Sequence, residues 1–207
     1  MKTDYTLYLC TDSGLMSCAT VEESVEMAVR GGCSVVQLRE KNASSLELYQ
    51  LAKRVKQVTD KYAVPLIIND RLDICQAVDA AGVHLGQSDL PCAQARRILG
   101  ADKIIGVSAA TPEEAAKAQS DGADYLGVGA VFPTSTKTNT RTVTPEIIRS
   151  IRRAVEIPFV VIGGVNADNI QQLYGLGING AAVISAVVAQ PDITAAAQKM
   201  RSAAEKL

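Results

Sequence analysis

Eight short apolar runs alternate with stretches of helical period along this whole chain, and that alternation restricts the fold more than any single motif. The runs fall near residues 6–10, 34–38, 65–68, 82–85, 104–107, 125–128, 159–162 and 181–184. Between them lie amphipathic segments such as LELYQLAKRVKQVTDKY, PEEAAKAQSDG, PEIIRSIRRAV and ITAAAQKMRSAAEKL, with the apolar spacing of a helix face. Thr20, Thr111 and Thr144 each precede an acidic first turn, the last two with proline next, as N-cap residues do. Gly31, Gly100, Gly122 and Gly177 stand where helices should end, a place that favours the positive φ glycine adopts at little cost. Strands apolar on both faces indicate a parallel sheet covered by helices. Eight such units predict a single (β/α)8 barrel of eight parallel strands occupying residues 1–207. The rival is an open doubly wound sheet, which uses fewer strands and a glycine-rich loop after the first. Here the first run ends in CTDSG, with no GxGxxG, and no linker or second domain interrupts the pattern.

Composition narrows the function class. The formal net charge of −1 argues against a nucleic-acid binder built on a basic face. The N-terminal MKTDYTLYLCTDSG turns polar too soon for a signal peptide, and no apolar run approaches membrane-spanning length, so no membrane role is expected. Cys10, Cys18, Cys33, Cys75 and Cys92 form no CxxC pair, which predicts reduced thiols packed in the core of a cytoplasmic protein. A single histidine, His84, excludes a multi-histidine metal site; within GVHLG it reads as a hydrogen-bonded structural residue rather than a base. The composition is compatible with a homo-oligomer.

In such barrels the site lies at the C-terminal strand ends, and polar residues collect there: Thr11 and Asp12, then Gln37, Arg39 and Lys41, then Asn69, Asp70 and Arg71. Later ends supply Gln87, Ser88 and Asp89, then Ser108, Thr134 to Lys137, Gly163 and Gly164, and finally Ile184 and Ser185. Gln37, Arg39 and Lys41 are spaced by two, so strand alternation predicts that they project to one side. With Lys137 they suggest a site for a strongly charged group such as diphosphate. Gly163, Gly164 and Ser185 suggest a separate cradle for one phosphate, built from backbone N–H groups. Asp70 and Asp89 suit Mg²⁺, which takes one or two carboxylates plus substrate phosphate oxygens; both are also placed to cap helices. The threonine-rich stretch from Thr134 to Thr144 is long for a barrel loop and predicts a lid.

The segments VQLREK, IINDR, GVHLGQSD, IGVSA, YLGVGAVFPTSTK, VVIGGV and AVISA together resemble the thiamin phosphate synthase family, in family order and across essentially the whole chain. The resemblance implies a transferase of thiamin biosynthesis that joins a hydroxymethylpyrimidine diphosphate to a thiazole phosphate, forming a C–N bond and releasing diphosphate. It implies that Gln37 and Ser108 meet the pyrimidine, that Arg39, Lys41, Asn69 and Lys137 hold the diphosphate, and that Asp70 and Asp89 bind Mg²⁺. It places Thr134, Ser135 and Thr136 against the thiazole phosphate, whose phosphate meets Gly164, Ile184 and Ser185. Arg39, Lys41, Ser108 and Lys137 are the implied catalytic residues. Two other functions remain open at this level. A thiazole tautomerase of the same fold uses a histidine near the fifth strand end, where this chain reads GVSAAT. A silent ligand-binding barrel would have little reason to keep all these polar residues.

Overall fold

The computed structural model describes residues 3–134 and 141–207. Its eight strands form one closed, all-parallel barrel in sequential order. They are β1 (Leu7–Cys10), β2 (Val35–Leu38), β3 (Leu66–Asn69), β4 (Gly82–Leu85), β5 (Ile104–Ala109), β6 (Tyr125–Gly129), β7 (Phe159–Ile162) and β8 (Gly180–Val183). Parallel neighbours require crossovers, made by α1 (Val21–Arg30), α2 (Ser45–Lys61), α3 (Leu72–Ala77), α4 (Cys92–Leu99), α5 (Pro112–Ser120) and α6 (Pro145–Ala154). The seventh crossover holds a single 3₁₀ turn, Ile170–Leu173. After β8 come α7 (Ser185–Val188) and α8 (Ile193–Ala204), and α8 packs on α1 to close the outer ring.

Local chemistry explains the helix ends. Thr20, Thr111 and Thr144 cap α1, α5 and α6 by accepting the N–H groups of Glu23, Glu114 and Ile147. Ser44 and Glu47 form a reciprocal capping box on α2. Gly100 and Gly122 do take positive φ after α4 and α5. Gly31 does not: its φ is −81°, and Gly32 next to it takes +104°. Gly31 is needed for space instead, because a Cβ there would lie 2.5 Å from the Ala197 Cβ of α8. Gly177, at φ +74°, lies in the connection to β8 and ends no helix.

Alternation along each strand divides two cores. Leu7, Leu9, Val36 and Leu38 face the helices, whereas Tyr8, Cys10, Val35 and Tyr125 fill the barrel. The interior matches rings to glycines. A Cβ on Gly106 would lie 2.1 Å from Cζ of Tyr125, and one on Gly127 would lie 2.9 Å from Cε1 of His84. At the N-terminal ends of β5 and β6, the Arg96 guanidinium donates to the carbonyls of Gly100, Lys103 and Gly122 and to Asp124. Asp124 also accepts the Ile105 N–H at 2.8 Å. All five cysteines are free thiols, and all but Cys18 are buried. Among the described residues no helix is long and apolar enough to cross a membrane.

Candidate active site

Gln37 lies on the inward face of β2, buried with 5% of its surface exposed, and Arg39 follows in the same direction just past the strand. Both line a cavity in the mouth of the barrel, with His84, Ser108 and Ile184. Arg39 is held from two sides. Its backbone N–H donates to Thr11 Oγ1 at 3.0 Å, and its Nη1 lies 3.6 Å from Asp12 Oδ2. Its Nε is buried and has no hydrogen-bond partner among the described residues. A buried guanidinium donor without an acceptor costs free energy that an anionic ligand would recover.

Lys41 takes a different place from that expected. β2 ends at Leu38, so alternation does not extend to Lys41, which lines a second, adjoining cleft with Asn69, Asp70 and Arg71. The cationic group predicted on one face is thus split across two neighbouring clefts. Arg71 is committed to Asp73 and Ser45.

Asp70 and Asp89 sit beside one another at the ends of β3 and β4. Burial, and then the adjacent Asp89 carboxylate, push the Asp70 carboxyl up to about 6, against the opposing pull of Lys41 and Asn69. Neither aspartate caps a helix: α3 begins after Arg71 and α4 after Pro91, without side-chain caps. Asp89 instead accepts the Gly86 N–H at 2.7 Å, which fixes its turn. Asp70 holds φ +63°, a conformation unusual for a residue with a Cβ and frequent at functional sites. Two crowded carboxylates offer oxygen ligands of the kind a hard divalent cation takes, with phosphate oxygens and water completing its shell.

Across the mouth, Gly163 and Gly164 turn at φ +97° and +66°. Asn169 Nδ2 donates to the Gly164 carbonyl at 2.8 Å. The N–H groups of Gly164 and Ser185 have no acceptor among the described residues, and the Ser185 side chain is exposed. A Cβ on Gly164 would lie 2.5 Å from the Pro133 carbonyl oxygen, so this turn abuts the root of the threonine-rich loop. That root is pinned where Ala130 donates to the Arg141 carbonyl and accepts from Val143. Thr134 lies at the root, half-buried; Ser135, Thr136 and Lys137 lie outside the described residues.

Ser108 lies within β5, which runs two residues beyond its apolar stretch. Its hydroxyl is 3.0 Å from His84 Nε2, and its carbonyl accepts from Gln87. His84 Nδ1 meets the Tyr125 hydroxyl at 2.9 Å, Tyr125 meets the Tyr8 hydroxyl at 2.7 Å, and Gln37 Nε2 donates to Tyr8 at 2.8 Å. The two tyrosines escaped the sequence analysis because their strands read as uniformly apolar. The detectable signal was an aromatic residue on the inward face beside an inward glycine, as Tyr125 stands beside Gly106.

The model of the family described as thiamine monophosphate synthase matches residues 7–187. A thiamine-phosphate synthase from Ruminiclostridium cellulolyticum is 59% identical over 96% of this chain and 95% of its own. One from Clostridium beijerinckii is 53% identical over 97% and 96%. The solved thiamine phosphate pyrophosphorylase from Pyrococcus furiosus superposes with a TM-score of 0.90 at 40% identity, covering 98% of this chain and 96% of that one. With a closed parallel barrel and these matches along nearly its full length, the chain belongs to the thiamine monophosphate synthase family.

Proposed function

We propose that this protein is a thiamin phosphate synthase: it joins 4-amino-2-methyl-5-(diphosphooxymethyl)pyrimidine to a thiazole phosphate, giving thiamin phosphate and diphosphate. What supports this function best is the buried, unpartnered Arg39 Nε in a rim cavity that also reaches Ile184, with Lys41, Asn69 and Asp70 in a second cleft. In this reading Arg39, Lys41, Asn69, Asp70 and Asp89 serve the diphosphate, and Gly164, Ile184 and Ser185 serve the single phosphate. Two phosphorylated substrates need two such sites.

The pyrimidine enters the cavity between Gln37 and Ser108, with its diphosphate reaching Arg39 and Lys41. Asp70 and Asp89 would hold Mg²⁺, which would supply positive charge to offset the negative charge of the diphosphate. The methylene C–O bond breaks, its electron pair leaves with diphosphate, and the electron-rich aminopyrimidine supports the transient methylene cation. Arg39 and Lys41, with Lys137, stabilise the departing charge electrostatically. The thiazole nitrogen then donates its lone pair to the methylene carbon. That nitrogen carries no proton, so no protein base is required. Exclusion of water is required, because water would capture the same cation.

Mass spectrometry of a reaction containing both substrates and Mg²⁺ tests this function. Thiamin phosphate and diphosphate should appear in equal amounts. Hydrolysed pyrimidine with the thiazole phosphate untouched would contradict it.

A further inference from the structure

Gln37 and Ser108, the two residues proposed to meet the pyrimidine, are joined through the barrel interior by Tyr8, Tyr125 and His84, each link between 2.7 and 3.0 Å. A phenol has one proton to donate, so the links are not independent. Gln37 Nε2 donates to Tyr8. The arrangement that leaves no phenol proton without an acceptor has Tyr8 donating to Tyr125 and Tyr125 donating to His84 Nδ1. That assignment makes His84 neutral with hydrogen on Nε2, which donates to Ser108 Oγ. Burial holds both phenols well above their ordinary range, so neither loses its proton. At the two ends, Gln37 is left with Oε1 and Ser108 with its hydroxyl proton. Gly106 and Gly127 keep the chain in register, since a Cβ on either would collide with Tyr125 or His84.

We propose that Tyr8, Tyr125 and His84 are positioning residues that fix opposite polarity at the two ends of the cavity, an acceptor at Gln37 and a donor at Ser108. The matching ligand offers an amine N–H to one end and a ring-nitrogen lone pair to the other. The chain thereby selects an aminopyrimidine diphosphate over its 4-oxo counterpart, whose N–H and C=O reverse that pattern. This inference rests on the synthase function proposed above.

Because His84 is the protein's one histidine, ¹⁵N–¹H correlation spectra of the full chain at pH 7.5 report its tautomer without a variant. The Nε2–H form is expected; an Nδ1–H tautomer or an imidazolium overturns the proposal. Tyr125→Phe keeps the ring and cuts the chain, freeing Tyr8 to donate back to Gln37. The ratio of kcat/KM for the amino over the 4-oxo pyrimidine diphosphate should fall at least ~10-fold, with KM for the amino substrate changing more than kcat. Tyr8→Phe should do the same, and serves if Tyr125→Phe does not fold. A ratio unchanged in a folded variant overturns the proposal. Absence of product from either pyrimidine with the unaltered protein would instead count against the synthase function, leaving the tautomer result to stand on its own.

Discussion

At single residues, the phosphate cradle and the barrel interior depend on atoms that are missing as much as on atoms present. Gly164 combines φ +66° with a Pro133 carbonyl oxygen 2.5 Å from where a Cβ would lie. Gly164→Ala must therefore move the loop root, and KM for the thiazole phosphate should rise at least ~10-fold in steady-state kinetics, more than KM for the pyrimidine. Ser185→Ala removes one hydroxyl and leaves the backbone donors. The loss of one hydrogen bond to a charged group, roughly 1.5–3 kcal/mol, should weaken thiazole phosphate binding about ten- to a hundredfold. A selective loss of pyrimidine affinity in either variant would reverse the assignment of the two sites. Gly106→Ala tests the interior, since its methyl would enter the Tyr125 ring. A lowered melting temperature corresponding to about 1–3 kcal/mol is expected from overpacking. The polar strand-end residues were legible from sequence because each follows an apolar run. The partners of Arg39 and Ser108 were not, because Asp12 and His84 reach them across strands, and pairing across strands leaves no local pattern.

At the level of elements, the sequence signals that worked were the ones set by short-range physics. The threonine caps of α1, α5 and α6 and the apolar centres of all eight strands are formed within a few residues, and the structure has them where they were expected. Gly31 misled because its small size serves a contact with α8, at the far end of the chain. Lys41 misled because strand β2 stops three residues before it. The Arg96 strap is likewise nonlocal. Arg96→Ala would take one donor from Asp124, which keeps the Ile105 N–H, and the guanidinium from three carbonyls, and thermal unfolding should show a loss of about 1–3 kcal/mol with substrate affinities unchanged. At the ends of β3 and β4 the expectation has the opposite sign. The Asp70 carboxyl binds its proton more tightly in the folded protein, at about 6 against 3.8 for the ordinary value. Without divalent cations, the folded protein should therefore lose stability as pH rises from about 4 to about 6. Asp70→Asn should abolish that loss, raise the melting temperature at pH 7.5, and remove the further rise that Mg²⁺ gives the unaltered protein. A Mg²⁺ shift that survives in both Asp70→Asn and Asp89→Asn would take the metal away from these two residues.

Over the whole molecule, the two ends of the barrel do different work. Arg96 and Asp124 hold the N-terminal end, the C-terminal rim presents the charged groups, and the glycine-matched rings fill the interior and reach the rim cavity. The fold was legible because a parallel barrel repeats one strand-and-helix unit, and the repeat is written as alternating periodicities; the single 3₁₀ turn replacing the seventh helix breaks that repeat without breaking the closure. The proposed division of the rim into two phosphate sites was legible only as a set of residue types, since their distances depend on the closed barrel. That division is tested most directly by calorimetric titration of thiazole phosphate into protein already saturated with Mg²⁺ and diphosphate. Separate clefts predict a ternary complex, with one thiazole phosphate bound per chain while diphosphate remains in place. Mutually exclusive binding, with diphosphate expelled as thiazole phosphate enters, would contradict two sites and with them the condensation of two phosphorylated substrates.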